Sequence, residues 1–359
     1  MTVQHVIVVG AGIVGSSIAF HLSQHGVRVT LIDAADPGGV ASPCSFGWTN
    51  ASHNNPRPYY DLRLRSMQLW DDIAVSHPNV PYRRTGVLYL DDARFDLDAY
   101  YAQHTEWGYS LEWITANDVR QLEPNLQTVP ERGLWARAEG AVEAGEAAQF
   151  FAAAARDCGA KILKQTSVGA LACDGSRVTG VTTADTTIGA DVVVAAAGVD
   201  TPAIAATAGV NVPLKSTPGL LIRTRPSHVK ISRMILTRAV HFRQMANGSY
   251  QAGEDFGGGE INDDPELGSQ QLLERVRQQL VDAQDIELAG YTLGNRPIPM
   301  DGFPIISRPA TCDGLYIAVM HSGATLAPAV GKFATEEILT GERNPLLQPF
   351  GLDRFAAST

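Results

Sequence analysis

A chain of 359 residues, 45% hydrophobic and 18% charged, is too long for one compact core and reads as a globular protein of two domains. Its formal net charge of −10 argues against a broad nucleic-acid surface, which needs a basic patch. Cys44, Cys158, Cys173 and Cys312 form no CxxC pair and no zinc spacing with histidine, so free thiols are expected and no metal site.

MTVQH runs straight into VIVVGAG, with no basic segment ahead of an apolar core, so no signal peptide is expected. Apolar runs fall far short of the ~20 residues that span a bilayer, and the expected location is the cytoplasm. Residues 6–9 form a β-branched run long enough for a buried parallel strand. Gly10-Ala-Gly12-Ile-Val-Gly15 follows, then a helix whose Val14, Ile18 and Leu22 share one face. Residues 27–32 give a second strand, ended by Asp33. Gly10 permits the tight turn, Gly12 lets a pyrophosphate approach the backbone, and Gly15 lets helix and strand pack closely. The helix N-terminus offers free N–H groups to phosphates, and Asp33 can accept from a ribose hydroxyl. Strand, turn, helix and acid together specify a dinucleotide; NAD and FAD share the half that this unit reads.

Residues 80–140 contain TGVLYL and RGLWARAEG, both strand-like. The chain then returns to the first domain. GEAAQFFAAAARDCGAKI reads as a helix stopped by Gly159, Asp174-Gly175 as a hairpin turn, and residues 191–197 as a buried strand. Residues 212–290 hold GLLIRTRP, a hairpin signal at Asn247-Gly248, an exposed loop GGGEINDDPELG and a polar helix PELGSQQLLERVRQQLVDA. Residues 291–345 return again, with a strand at 315–319, a small-residue turn and a helix ending at Gly341. No internal repeat is seen. The expected fold is α/β, α+β overall: a Rossmann-like domain from residues 1–79, 141–211 and 291–359, interleaved with an antiparallel-sheet substrate domain from 80–140 and 212–290.

Five ordered motifs run through nearly the whole chain: GAGIVG…LID, DLRLRSMQLW at 61–70, ADVVVAAAGVDTPAIA at 190–205, GNRPIPMDGFPIIS at 294–307 and HSGATLAPAVGKFATEEI at 321–338. With them the chain resembles the D-amino-acid oxidase family of FAD-dependent oxidoreductases, and within it most nearly the glycine oxidases and monomeric sarcosine oxidases. The resemblance implies FAD as cofactor. Gly10, Gly12, Ile13, Val14, Gly15, Asp33 and Ala34 would hold its ADP half, with Val168 beside the adenine through its backbone. Ala41, Ser42, Phe46, Gly47 and Trp48 would lie along the isoalloxazine, and Ala197, Gly198 and Arg296 would also border the cofactor. Backbone N–H groups of Gly323, Ala324, Thr325 and Leu326 would face the flavin N1/C2 edge, where a helix N-terminus stabilises the charge of the reduced ring.

The implied reaction is oxidation of a C–N bond in a small D-amino, glycine- or sarcosine-like, or opine-like acid. Hydride passes to flavin N5 and the imine hydrolyses, with no catalytic side chain required. Arg296 matches the family's carboxylate-binding arginine; its bland alternative is a structural pair with Asp301. His241 stands where relatives often have a tyrosine facing the substrate, the alternative being an outward-facing strand histidine. Trp48, Asn50 and His321 are expected pocket walls, with Arg57 and Arg243 as reserve cations. The chain departs from the sarcosine oxidases, which have basic residues where it has Asn50 and Thr325, an oxygen-activating lysine near Gln251, and a flavin-linking cysteine that aligns with Gly294. Cys312 lies past that motif. Noncovalent FAD is therefore expected, with oxygen or a quinone as possible acceptors. An alternative is an FAD-bearing subunit of a heteromeric amine or opine dehydrogenase, and an oligomer is compatible with either.

Overall fold

The computed structural model describes residues 3–52, 55–91, 96–254 and 264–358, and within these the burial of side chains as far as Ala356. Strand His5–Val9 lies at the heart of a six-stranded sheet, between Arg28–Ile32 and Val192–Ala195, both parallel to it. Lys161–Leu163 extends one edge, and Leu315–Val319 and then the antiparallel Ile305–Ser307 extend the other. Successive residues of a strand face opposite sides of its sheet, and the core divides accordingly. Val6 and Val8 join the cluster under the helices, while Ile7 and Val9 join a second cluster on the far face. A continuous apolar run is what a strand covered on both faces needs.

Helix Ile13–Ser23 is buried on nearly every side because helices Ala144–Asp157 and Gly323–Thr340 flank it. Gly331 makes the second contact close: a Cβ there would sit 2.3 Å from Ser17 Oγ, which donates to Ala327 O at 2.8 Å. The expected hairpin pairs Val168–Asp174 with Arg177–Thr183 around Gly175 at φ +57°. Helix Gly323–Thr340 stops at Gly341, which is left-handed at φ +81°.

The other large sheet has eight strands, and the two chain segments that build it meet where Val87–Tyr89 lies parallel to Met234–Leu236. His241–Gln244 and Ser249–Gly253 pair around Asn247-Gly248, as their turn signal implies. Strand Leu288–Pro299, which the expected boundary at 291 would split, lies whole at the edge of this sheet beside Leu214–Pro226. Helix Pro265–Gln279 begins at the PELG of the expected polar helix, where the expected loop overlapped it: Asp264 caps it by accepting from the Glu266 and Leu267 N–H groups. The loop's residues 257–263 lie outside the described residues. Trp48–Thr49, Gly140–Val142 and Tyr82–Arg83 form a small antiparallel sheet with Gly140–Val142 at its centre.

Among the described residues no helix is long and apolar enough to cross a membrane, and no group of three His, Cys, Asp or Glu side chains is placed to hold a metal ion. All four cysteines are free.

Candidate active site

The first strand ends in a turn that only glycine can make. Gly10 has φ +104°, and a Cβ there would lie 2.4 Å from Ala196 O. A Cβ on Gly15 would lie 1.9 Å from Gly10 O, so the helix start is pressed onto the turn. Gly12 differs. A Cβ on it would meet nothing nearer than Ser42 Oγ at 3.4 Å, which leaves open space directly above the backbone. Ser42 Oγ accepts from Ile13 N–H at 3.1 Å, and no side chain of Gly12 caps the helix. Open space over a helix N-terminus suits a pyrophosphate. Asp33 is placed by the turn itself, accepting from Ala11 N–H at 2.6 Å and Ala35 N–H at 2.8 Å; Ala34 beside it is exposed.

Next to this cradle opens a cavity of about 320 Å³. Its floor is the loop that carries Ala41, Cys44, Ser45, Phe46, Gly47 and Trp48. Ala324 and Thr325, in the first turn of helix Gly323–Thr340, form another wall, with His321 and Ser322 just before them. That helix N-terminus has no side-chain cap, and a Cβ on Gly323 would touch Val14 Cγ2 at 3.1 Å, so the two helix starts abut. Leu326 is fully buried and its N–H already donates to Ser322 O at 3.0 Å, which leaves the earlier residues of the turn to face a ligand.

Arg296 reaches the cavity from the edge strand, its guanidinium laid over the bare Cα of Gly219 on the neighbouring strand. Asp301 also lines the cavity, but it is bonded to Arg354 at 2.7 and 3.1 Å and not to Arg296 as the bland alternative had it. Asn50 and Trp48 are wall residues, both buried. His241 stands one layer back. It is buried, not outward-facing, with its ring edge-on to Phe46 at 4.8 Å, and it is not among the cavity's lining residues. Val168 and Ala197 lie apart from the cavity, against the cluster on the far face of the six-stranded sheet, and Gly198 turns the chain at φ +57°. Cys312 is buried in the same cluster, whereas Cys44 lines the cavity and packs on Gly294: a Cβ at 294 would lie 2.7 Å from Cys44 Cβ.

The reserve cations have structural partners. Arg57 is exposed and paired with Asp61. Arg243 is buried beneath the floor, where it pairs with Glu143 at 2.8 Å and donates to Phe46 O at 2.7 Å and Gln251 Oε1 at 2.9 Å. Gln251 passes the support on by donating to Ser45 O at 3.1 Å.

Two residues escaped the sequence analysis. Arg63, on helix Arg57–Ser76, lines the cavity with its side chain among Asn50, Tyr59 and Ser322. Its signal was a charge within the buried stripe of Tyr59, Ser66, Met67 and Trp70 at helical spacing. Glu139 is fully buried behind Trp48 and accepts from Trp48 Nε1 (2.8 Å), Ser52 Oγ (2.6 Å), Tyr109 OH (2.9 Å) and Tyr89 OH (3.1 Å). No pattern in the sequence marks it.

Burial pushes the Glu139 carboxyl up to about 7, against these donors, which favour its charged form. A carboxyl raised in the folded state contributes stability that is complete below its unfolded value and lost as pH climbs through the folded one. From 4.5 to about 7, at about 1.4 kcal/mol per pH unit, the contribution is roughly 3 kcal/mol. Thermal melts of wild type should therefore show stability falling across that window, and Glu139→Gln should flatten the fall. Parallel slopes in the two proteins would contradict the assignment.

Comparison with known proteins follows the same lines. Residues 5–337 match the family described as DAO, FAD dependent oxidoreductase. Glycine oxidase of Bacillus licheniformis is 25% identical over 93% of this chain and 92% of its own. Sarcosine oxidase subunit beta of Rhodobacter capsulatus is 24% identical over 98% of this chain and 88% of its own. Among solved structures, L-proline dehydrogenase from P. horikoshii superposes with a TM-score of 0.87 over 99% of both chains at 23% identity, a likeness of fold.

Proposed function

This chain belongs to the DAO family of FAD-dependent oxidoreductases, and we propose that its reaction is oxidation of the C–N bond of a small amino acid or N-substituted amino acid. FAD, when bound, supplies the two-electron acceptor for the hydride that leaves the substrate carbon, and water then hydrolyses the imine. One arrangement supports the reading above all: the cavity lies beside the glycine turn and is bounded by a second helix N-terminus and by arginines. Gly12 would leave room for the pyrophosphate over a turn that Gly10 and Gly15 make possible, and Asp33 would meet the ribose. The loop from Ala41 to Trp48 and the turn at Gly323 to Thr325 would border the flavin without a covalent bond. Arg296 would meet the substrate carboxylate, for which a planar guanidinium is suited. Trp48, Asn50 and His321 would shape the space around the substrate, and His241 would act on it only through Phe46.

Anaerobic mixing of the FAD-loaded protein with D-amino acids, N-methyl amino acids, opines and amines tests this. One class should bleach the flavin. If none does, the reading fails. Arg296→Ala should raise the apparent dissociation constant for a carboxylate substrate by about 10- to 100-fold and leave an amine lacking the carboxylate unaffected.

A second reading, an FAD-bearing subunit that passes electrons to an acceptor other than oxygen, is favoured by the exposed apolar Tyr291, Leu293 and Met300 at the edge of the eight-stranded sheet. The relative named as a sarcosine oxidase subunit leans the same way. Full turnover by the isolated chain with oxygen would reject it.

A further inference from the structure

Arg63 is a buried cation with no anion. It is only 6% exposed, and its guanidinium donates to Asn50 O at 2.9 Å, Ser322 Oγ at 2.7 Å, Tyr59 OH at 3.3 Å and Asn50 Oδ1. All four acceptors are neutral, and among the described residues no carboxylate lies within ion-pair distance. Four other sheltered arginines each carry a carboxylate. Arg243 carries Glu143, Arg233 carries Glu123, Arg343 carries Glu337 and Arg354 carries Asp301. Removing a guanidinium from water without a counter-charge costs several kcal/mol.

The place where Arg63 stands gives the reason. It lines the cavity, and its hydrogen-bond partners Asn50 and Ser322 line it too. Ser322 is the residue before helix Gly323–Thr340, so the positive end of that helix adds to the field at the same spot. A guanidinium has five N–H donors, and only four acceptors surround this one. Among the described residues that line the cavity the one carboxylate, Asp301, is already neutralised by Arg354.

We infer that Arg63 is an anion subsite of the cavity and that its ligand is the carboxylate of the substrate, gripped from the Arg57–Ser76 helix in addition to Arg296. The identity of the anion as a substrate carboxylate rests on the amino-acid reading above; the subsite itself rests on the buried, uncompensated charge.

The test uses the FAD-loaded full chain and follows perturbation of the visible flavin spectrum by acetate, benzoate and pyrrole-2-carboxylate, with the corresponding amides as neutral probes. Arg63→Gln should weaken the carboxylates about 100-fold and leave the amides unchanged, and Arg63→Lys should recover part of the loss. Asn50→Asp supplies the missing anion from within at an isosteric position. It should fold at least as stably as wild type and lose carboxylate affinity, so the inference does not depend on Arg63→Gln folding. Wild-type protein that binds none of the carboxylates overturns the inference, as does an equal loss for acids and amides. A shifted flavin midpoint potential with unchanged carboxylate affinity in Arg63→Gln would assign the cation to the flavin instead. If carboxylates bind as expected but no amine or amino acid bleaches the flavin, the proposed reaction fails and the subsite stands.

Discussion

Gly15→Ala is expected to give a protein that carries no FAD and melts well below wild type. The added methyl would sit 1.9 Å from Gly10 O and 3.3 Å from Ala196 Cβ, and the first obstacle is backbone. No rotamer relieves it, so the helix must leave the strand end, at a cost of about 3 kcal/mol or more. Gly12→Ala separates the two losses. Its methyl would meet only Ser42 Oγ at 3.4 Å, so the fold should persist with a near-native melt. The same methyl stands where the pyrophosphate would lie, so flavin content should still collapse. Absorbance spectra and thermal melts of the two purified variants decide this. A Gly12→Ala protein that retains FAD would show that the space above Gly12 is not the cradle.

Arg243→Ala should destabilise the chain by about 3 to 5 kcal/mol, the usual result of stranding one member of a buried pair. Its side chain is 3% exposed and that of Glu143 10%. Burial alone would raise the Glu143 carboxyl, but the hydrogen bonds and charge of Arg243, with Arg83 and Arg223 behind it, hold it below the usual range. A carboxyl lowered in the folded state contributes stability above its unfolded value and loses it as pH falls. The deficit of Arg243→Ala should therefore be larger near pH 7 than near pH 4, because the stranded Glu143, raised by burial, takes up a proton at a higher pH in the variant than in wild type. Denaturant unfolding at the two pH values measures it. The cavity floor should suffer with the fold, because the same guanidinium holds Phe46 O and, through Gln251, Ser45 O. A pH-independent deficit would mean that Glu143 is not the group left behind.

These expectations show which parts of the molecule local sequence carries. The turn at Gly10 to Gly15, the hairpins at Gly175 and Gly248 and the helix stop at Gly341 each depend on a backbone state that few residues besides glycine adopt, and each was readable. The parallel pairing of Val87–Tyr89 with Met234–Leu236 was not, because strands of three residues carry no information about a partner so distant in the chain. The site divides the same way. Arg296 and Trp48 stand in recognisable motifs. Arg63 matters because Ser322, far along the chain, meets it in space, and Glu139 because two tyrosines, a serine and a tryptophan from separate segments converge on it. His241 stands a layer behind the lining residues, packed on Phe46, for the complementary reason. Strand alternation gives the side of a sheet but not what Phe46 interposes on that side.

The strand order of the six-stranded sheet has a consequence for how the protein is made. His5–Val9 lies next to Val192–Ala195, and that strand next to Leu315–Val319. On a ribosome the first strand soon gains Arg28–Ile32 but waits for about half of the chain before its other neighbour emerges, and the second helix start at Gly323 arrives later still. No nascent fragment that ends before that point can frame the cofactor pocket. Early release would leave a sheet with open, apolar edges, the form of this protein most exposed to aggregation and to chaperones.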